Sequence, residues 1–342
     1  MSGEPVPLPP LSELREGAVV VSLPMRVRFR GITTREVLLL RGPAGFGEFA
    51  PFPEYADAEA ASWLRSAIEA AWLGPPAPLR AMVPVNATVP AVEAARVPEI
   101  LSRFPGAGTA KVKVAERGQS LAEDLARVEA VRAQIEHVRV DANGGWGLDE
   151  AEEALLALSS DGPLQYAEQP CASVPELVEL RRRLADHAAA SGRERVRIAA
   201  DESIRRAEDP MRVVRAGGAD VAVVKVAPLG GMRALLSLAA ELAEHDVPVV
   251  VSSALDSAVG MGAGLAAAAA LPELEYACGL GTGGLFEADV AAPRAMVDGA
   301  LPASAVVPEP ERVAGLLASP ERTRWWLARL ERCHELLSAD AE

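Results

Sequence analysis

Hydrophobic positions in the first quarter of the chain follow two different periods. Runs rich in Val, Leu and Phe, broken by Gly and Pro, predict an antiparallel meander over residues 18–52. Residues 55–74 instead place apolar side chains at helical spacing, with Asp near the start and Gly at the end, which predicts a helix. Strands followed by a helix indicate a small α+β unit, and the Gly- and Pro-rich stretch 74–79 marks its boundary.

From residue 83 onward, short β-type runs alternate with amphipathic helical stretches such as 120–136 and 231–246. Eight runs are recognisable, the last weaker than the others: VPVNATV, TAKVKV, HVRVDAN, LQYAEQP, RVRIAADES, DVAVVKV, VPVVVSSAL and LEYACGLG. About eight β–α repeats in roughly 220 residues are typical of a (β/α)8 barrel. A doubly wound open sheet is the alternative, but VNATVPAVEAA is not the Gly-rich phosphate turn that such a sheet needs after its first strand.

These patterns predict three parts. Residues 1–82 form an N-terminal α+β capping domain, and residues 83–305 form a (β/α)7β TIM-like barrel that carries the catalytic site. Residues 306–342 form a C-terminal helical segment that packs on the cap.

Composition and charge limit the classes of function. The net charge of −14 argues against binding to nucleic acid or to an anionic membrane surface, since both require a basic patch. Cys171, Cys278 and Cys333 are far apart and no C-x-x-C occurs, which indicates neither a disulfide framework nor a thiolate zinc site. Free thiols and an acidic N-terminus without an apolar signal region predict a cytoplasmic protein, and nothing indicates an obligatory protein partner.

Five consecutive predicted barrel strands end in a charged residue: Lys113, Asp141, Glu168, Asp201 and Lys225. The successive spacings are 28, 27, 33 and 24 residues, and each corresponds to one β–α unit. Because the carboxyl ends of barrel strands meet at one mouth, these side chains are expected to converge there. Taken singly, each carboxylate is better explained as a helix cap or a loop ion pair than as a metal ligand. Three carboxylates in regular register instead predict a shared hard cation, and Mg²⁺ suits oxygen ligands.

Lysine is rare in this chain, and its positions are informative. Only three of the 34 lysine and arginine residues are lysine, and all three lie in apolar runs. Lys111 and Lys113 lie on the same face of one predicted strand, and Lys225 directly follows VAVV. Arginine cannot release its proton near neutral pH, whereas lysine can when it is desolvated or near other cations. We therefore interpret the lysines as positions where a proton moves.

Five motifs, in this order and spacing, resemble those of the enolase superfamily in its muconate-lactonizing branch: AKVKV, VDANGGW, AEQP, ADES and VVKVAPLGG. The resemblance covers nearly the whole chain, including the cap motif GEFAPFPEY. It implies that Asp141, Glu168 and Asp201 bind Mg²⁺, for which Mn²⁺ is a possible substitute. It also implies that Lys113 is the catalytic base and that Lys225 acts from the opposite face.

The resemblance further implies which segments contact the substrate. It assigns the cap loops 28–31 and 49–55, the loop 252–257 and the loop 281–284 to the substrate pocket. The individual residues predicted to bind substrate are Lys111, Asn143, Arg28, Ser252, Ser253 and Gly283.

The implied reaction starts from a small-molecule carboxylate. A base removes the proton next to the carboxylate, the resulting enediolate is stabilised by the metal, and water then leaves. The motifs SSALDSAVGMG and GLGTGGLFEADV are similar to those of a dehydrating subgroup of the branch. Racemisation of N-acylamino acids stays open, because two facing lysines suit that reaction as well. A Schiff-base aldolase using Lys225 leaves the three carboxylates without a role. A non-catalytic binding barrel is a further alternative, which absence of bound Mg²⁺ and of solvent-deuterium exchange would favour.

Overall fold

The computed structural model describes residues 6–29, 31–205 and 209–339. Its first part contains helix α1 (Leu11–Glu16), strands β1 (Ala18–Phe29), β2 (Ile32–Gly42) and β3 (Gly45–Phe49), and helix α2 (Asp57–Ile68). The three strands pair antiparallel in the order β1-β2-β3, and α2 continues into a π-helical turn, Glu69–Leu73. Because Trp63, Leu64 and Ala67 lie on one helical face and are buried, α2 covers the sheet. The predicted meander and helix are confirmed.

A short strand, β4 (Met82–Pro84), leads into the barrel. The barrel strands are β5 (Ala87–Val89), β6 (Thr109–Lys113), β7 (His137–Asp141), β8 (Ala167–Glu168), β9 (Ile198–Ala200), β10 (Val221–Val224) and β11 (Val249–Val251). They form one parallel sheet in the order β11-β10-β9-β8-β7-β6-β5. A last strand, β12 (Ala300–Pro302), pairs antiparallel with β4. This order places the strands in sequence around a curled parallel sheet, as the alternating pattern predicts.

The weak eighth run joins the two edges of this sheet. Its residue Cys278 forms a parallel bridge with Val85, and the neighbouring Gly279 forms one with Ser252. The Cys278 N–H donates to the Pro84 carbonyl at 2.7 Å, and the Gly279 carbonyl accepts from the Ser253 N–H at 3.0 Å. The segment is therefore paired on both sides by single bridges, which is why its sequence signal is weak. The predicted TIM-like α/β fold is confirmed.

Helices follow the barrel strands and close the chain. They are α3 (Val97–Leu101), α4 (Leu121–Arg132), α5 (Leu148–Leu158), α6 (Val174–Ser191), α7 (Glu202–Arg205), α8 (Arg212–Arg215), α9 (Val226–Leu229), α10 (Met232–Ala243), α11 (Ala258–Ala270), α12 (Pro310–Gly315) and α13 (Pro320–Ala339). Two of the longer helices begin with capping boxes, Ser120 with Glu123 and Ser173 with Glu176. Within the described part of the chain, no helix has the length and apolarity needed to cross a membrane.

The C-terminal helix α13 packs on the cap. The ring of Trp326 contacts that of Phe49 edge-on at 5.8 Å, and both side chains are fully buried. Arg329 donates a hydrogen bond of 3.0 Å to the Phe52 carbonyl. The helix thus supports the cap segment that follows β3.

A buried carboxylate joins the cap to barrel helix α10. Glu69 is 1% exposed, and its oxygens accept from the N–H groups of Met232 and Arg233 at 2.6 and 3.0 Å. Gly231 permits this approach, because a Cβ at that position would lie 1.7 Å from the Glu69 carboxylate. A carboxylate at a helix N-terminus satisfies free N–H groups and complements the helix dipole.

We expect Glu69→Ala to lower the free energy of unfolding, because it leaves the N–H groups of Met232 and Arg233 without their acceptor. The expected loss is about 1–3 kcal/mol, the usual penalty for an unsatisfied buried group. Thermal unfolding of the two proteins measures it. Glu244→Ala is the matched control, since Glu244 is exposed at the other end of the same helix. Equal melting temperatures for Glu69→Ala and Glu244→Ala would contradict the assigned contact.

Candidate active site

The five charged strand-end residues meet at one mouth of the barrel. Lys113 and Asp141 are register partners at the ends of β6 and β7, and Asp141 is paired in turn with Glu168 of β8. Asp201 follows β9 directly and Lys225 follows β10 directly. All five line one cavity of about 50 Å³. Since β7, β8 and β9 lie between β6 and β10 in the sheet, the three carboxylates separate the two lysines.

Lys111 forms ion pairs with two carboxylates of the site. Its Nζ lies 3.0 Å from each oxygen of Glu168 and 3.1 Å from Oδ2 of Asp141. Lys111 is 8% exposed and both carboxylates are 1% exposed. Although burial disfavours its charged form, attraction to Glu168 and Asp141 raises the pKa of Lys111. Lys111 is therefore a fixed positive charge of the site.

The pKa values of the two carboxylates that share Lys111 are shifted in opposite directions. Burial and the negative charge of Asp141 raise the pKa of Glu168 to about 7, against the attraction of Lys111. Burial also acts against ionised Asp141, but Lys113 and Lys111 hold its pKa below the ordinary range. Of the two carboxylates, Glu168 is therefore the one whose charged form its surroundings disfavour.

Lys113 lies at the edge of the cavity and touches two residues that follow β7. Its Nζ donates to Oδ2 of Asp141 at 2.7 Å and also to Oδ1 of Asn143. Asn143 adopts a left-handed backbone conformation, with φ of +47°, and its N–H donates to Oδ1 of Asp141 at 3.1 Å. This turn directs the Asn143 amide back over the strand end, where it orients the Lys113 amine.

Lys225 and Arg205 share Asp201. Lys225 Nζ donates to Oδ2 of Asp201, and Arg205 Nε donates to Oδ1 at 3.1 Å. These cations hold the pKa of Asp201 below its usual range although burial opposes the charge. Burial lowers the pKa of Lys225, and the attraction of Asp201 offsets only part of that effect. Arg205 also donates to the Tyr55 hydroxyl at 3.1 Å, which links Asp201 to the cap.

Four of the residues predicted to bind substrate line this cavity: Lys111, Asn143, Ser252 and Ser253. The Ser253 hydroxyl makes a 2.6 Å hydrogen bond with that of Thr282, which joins the loop after β11 to the closing segment. Phe52 and Tyr55 of the predicted cap loop also line the cavity. The cap and the barrel therefore each contribute a wall.

The structure places two other predicted substrate-binding residues away from this cavity. Arg28 is exposed, and its Nε donates to the Gly31 carbonyl at 3.2 Å, so its guanidinium is used within its own hairpin. The cap loop 28–31 also includes position 30, which lies outside the described residues. Gly283 lines a second cavity, because the 3-10 turn Thr282–Leu285 directs Thr282 to the first cavity and the next residue away from it.

Sequence reasoning missed several residues of the cavity wall. They are Arg205, Thr88 and Trp63, whereas Thr282, which also lines the cavity, belongs to the predicted loop 281–284. The available signal for Arg205 was its position four residues after Asp201 on helix α7, which places the two side chains on one face. Trp63 has helical spacing that predicts a core residue, and it is 1% exposed while also reaching the cavity.

The side chains of Asp141, Glu168 and Asp201 are not arranged as a preformed metal site. Among the described residues, no group of three or more His, Cys, Asp or Glu side chains is arranged to hold a metal ion. Lys111 lies between Asp141 and Glu168, and Lys225 occupies one oxygen of Asp201. The ammonium groups therefore contact the oxygen atoms that a cation would use.

Comparison with known proteins identifies the family. The family description "Enolase N-terminal domain-like" matches residues 20–71, and "Enolase C-terminal domain-like" matches residues 98–308. An o-succinylbenzoate synthase of Mycobacterium tuberculosis strain H37Rv is 63% identical over 330 residues, which cover 96% of this chain and 97% of that protein. The chain belongs to the o-succinylbenzoate synthase family of the enolase superfamily. It is therefore an enzyme, in a family of lyases, as the resemblance of its motifs predicted.

Further relatives agree with this family. An o-succinylbenzoate synthase of Mycobacterium marinum is 62% identical over 327 residues, which cover 96% of each chain. A muconate lactonizing enzyme from Pseudomonas fluorescens, solved with muconolactone, superposes with a TM-score of 0.72 at 23% identity. That comparison covers 88% of this chain and 98% of the other, and it shows that this chain has the same fold as that enzyme.

Proposed function

We propose that this enzyme is an Mg²⁺-dependent o-succinylbenzoate synthase. The substrate would be 2-succinyl-6-hydroxy-2,4-cyclohexadiene-1-carboxylate, and syn loss of water would give 2-succinylbenzoate in menaquinone biosynthesis. The observation that carries the proposal is the placement of three buried carboxylates between two lysine strands at one barrel mouth. The family relationship supports the same reaction.

The residues present fit a hard divalent cation. Asp141, Glu168 and Asp201 are each 1% exposed and offer only oxygen donors, which Mg²⁺ and Mn²⁺ prefer over zinc-type ligands. Burial and the negative charge of Asp141 raise the pKa of Glu168, and a cation bound beside it would favour its charged form. When bound, the metal acts as a Lewis acid on the substrate carboxylate and lowers the energy of negative charge that develops there.

The chain's own residues perform the proton transfers. Lys113, as a neutral amine, accepts the proton from the carbon next to the substrate carboxylate, and Asn143 keeps the amine directed to that side. The bond between the ring and its hydroxyl then breaks, and the Lys113 ammonium returns the proton to the departing oxygen as water forms. A single amine serving both steps accounts for syn stereochemistry. The ring becomes aromatic, and no oxidant or reductant is required.

Lys225 acts from the opposite side of the mouth. As an ammonium ion it stabilises negative charge that develops on the substrate, and this role does not require it to move a proton. Arg205 keeps Asp201 ionised and links it to Tyr55 of the cap. Tyr55 and Phe52 exclude water on the cap side of the cavity.

We propose that the chain is divided into a cap (1–82), a barrel (83–305) and a tail (306–342). In this division the cap and the barrel supply different kinds of side chain to the cavity. The cap supplies Phe52, Tyr55 and Trp63 to a cavity whose charged groups all come from the barrel. We also place the enzyme in the cytoplasm, which agrees with three cysteines that are free and buried.

Removal of divalent metal is expected to abolish turnover, because the chain alone leaves the substrate's developing charge without a Lewis acid. The test measures 2-succinylbenzoate formation after treatment with EDTA, and again after excess Mg²⁺ or Mn²⁺ is restored. Enzyme treated with EDTA that has been presaturated with Mg²⁺ controls for the chelator itself. Full turnover in metal-free buffer would contradict the proposal.

A second candidate is racemisation of N-acylamino acids. It is favoured by the placement of Lys113 and Lys225 on strands that face each other across the carboxylates, which suits proton removal on one face and return on the other. Assays with N-succinylamino acids in deuterated water distinguish the two activities. Deuterium incorporation with inversion, in the absence of dehydration of the cyclohexadiene, would favour the racemase.

A further inference from the structure

The loop after β11 forms a wall of the active-site cavity and has an unfavourable backbone conformation. Ser252, Ser253, Ala254 and Leu255 all line the cavity. Leu255 has a φ of +63°, in the left-handed region that a leucine rarely adopts. Such a conformation persists only where surrounding contacts hold it. Two of the side chains that hold this loop come from the cap.

Arg35 of β2 is the first of these contacts. It is 1% exposed, and its Nε donates to the Leu255 carbonyl at 3.1 Å. Its Nη2 donates to the Ala50 carbonyl and makes a longer contact of 3.5 Å with the Ala254 carbonyl. The guanidinium also lies 4.2 Å from the ring centre of Phe52. One side chain therefore contacts both the barrel loop and the cap segment that face each other across the cavity.

Glu48 of β3 is the second contact, on the other side of the loop. Its carboxylate accepts from the N–H and the hydroxyl of Ser257 and from the N–H of Gly260 at 2.9 Å. Gly260 permits this, since a Cβ there would lie 2.8 Å from the carboxylate. The Arg35 guanidinium thus holds the carbonyls before the start of α11, and the Glu48 carboxyl group accepts from the N–H groups at its start.

We propose that Arg35 is a positioning residue for catalysis, which holds the loop after β11 at the spacing from Phe52 that the substrate requires. Glu48 anchors the helical end of the same loop. Neither side chain lines the cavity, so both act through the residues that do. The proposal deepens the proposed function and rests on it for the identity of the substrate.

An arginine suits this position better than a lysine. Its planar guanidinium presents five donors in fixed directions and stacks on an aromatic ring, so one group can reach three carbonyls and Phe52 together. A lysine presents a single ammonium group and cannot reproduce that arrangement. The Arg35→Lys variant is therefore expected to restore only part of the function lost in Arg35→Met.

Steady-state kinetics of Arg35→Met provide the first test. Loss of loop position is expected to lower kcat/KM about 100-fold, the effect of misplacing a binding group by about 1 Å. Most of the change is expected in KM, with kcat within about fivefold of wild type, because the reacting groups come from other strands. The KM and kcat/KM of Arg35→Lys are expected to lie between those of wild type and those of Arg35→Met.

Hydrogen–deuterium exchange provides a readout that does not depend on turnover. Amides in residues 252–260 are expected to exchange at least tenfold faster in Arg35→Met than in wild type. The matched control is Arg322→Met, which removes the ion pair of Arg322 with Glu36 at 2.6 Å. Glu36 is the neighbour of Arg35 in β2 and points to the opposite face. The control is expected to lower the melting temperature without changing KM or exchange in the loop.

The outcomes separate this inference from the proposed function. A folded Arg35→Met enzyme with wild-type KM and wild-type exchange in residues 252–260 would overturn it. If wild type forms no 2-succinylbenzoate, the proposed function fails, while the exchange measurement still decides whether Arg35 holds the loop. If Arg35→Met does not fold, Arg35→Lys and Glu48→Gln decide instead, and both are expected to show faster loop exchange and a raised KM.

Discussion

Lys113→Arg is expected to abolish turnover while the protein still folds and still binds divalent metal. An arginine keeps the positive charge that pairs with Asp141 at 2.7 Å and can keep a contact with Asn143. It cannot accept a proton near neutral pH, because the guanidinium does not release its own. General base catalysis alone contributes about 10²–10⁴-fold, and here the same amine also returns the proton, so the loss is expected at the upper end or beyond.

The measurement compares product formation and solvent-deuterium exchange of the substrate with the thermal shift that Mg²⁺ produces. Lys225→Met is the informative partner, since Lys225 acts electrostatically and need not move a proton. Its loss is expected to be severe and yet to leave more activity than Lys113→Arg. An active Lys113→Arg enzyme, or an inactive one that no longer responds to Mg²⁺, would overturn the assignment of Lys113 as the base.

Spacing along the chain was sufficient to predict the centre of this site. In a parallel barrel each strand and its returning helix take a similar length, so residues one β–α unit apart reach the same height. Lys113, Asp141 and Glu168 are direct register partners for this reason. The same regularity explains why the fold class was predictable although β8 has only two residues.

Contacts between distant parts of the chain could not be predicted in this way. Arg205 and Arg35 lie in a chain that uses arginine for almost every positive charge, and several of its arginines form surface ion pairs such as that of Arg182 with Glu179. Arg35 contacts a loop 220 residues away, and no periodicity in the sequence indicates that contact. The sequence placed Lys111 beside Lys113 but did not show that Lys111 is the one held between two carboxylates.

Glu168→Gln is expected to remove most of the metal-dependent activity while preserving the fold. Glu168 ends β8, the middle of the three carboxylate strands, so it borders the positions of both other predicted ligands. Glutamine keeps the size of the side chain and one acceptor oxygen, but it removes the negative charge that a hard cation requires. Lewis-acid stabilisation supplies several kcal/mol, so kcat/KM is expected to fall by at least about 10³-fold.

Two effects on stability oppose each other in this variant. Glu168→Gln loses the attraction to Lys111, whose Nζ lies 3.0 Å from both oxygens. It also relieves the repulsion from Asp141 that, with burial, raises the pKa of Glu168 to about 7. Without metal, the melting temperature is therefore expected to change little. With Mg²⁺, wild type is expected to gain stability as the ion binds the folded state, and the variant to gain much less.

Asp289→Asn is the control for Glu168→Gln, because it removes a carboxylate that is not a proposed metal ligand. Asp289 accepts from the N–H groups of Ala258 and Val290 at 3.0 and 2.7 Å, and it lies outside the active-site cavity. This control is expected to lower the melting temperature and yet to keep both turnover and the full Mg²⁺-dependent rise. A Glu168→Gln protein with the same Mg²⁺ response as wild type would show that Glu168 does not hold the metal, since the substitution removes the negative charge and one of the two acceptor oxygens.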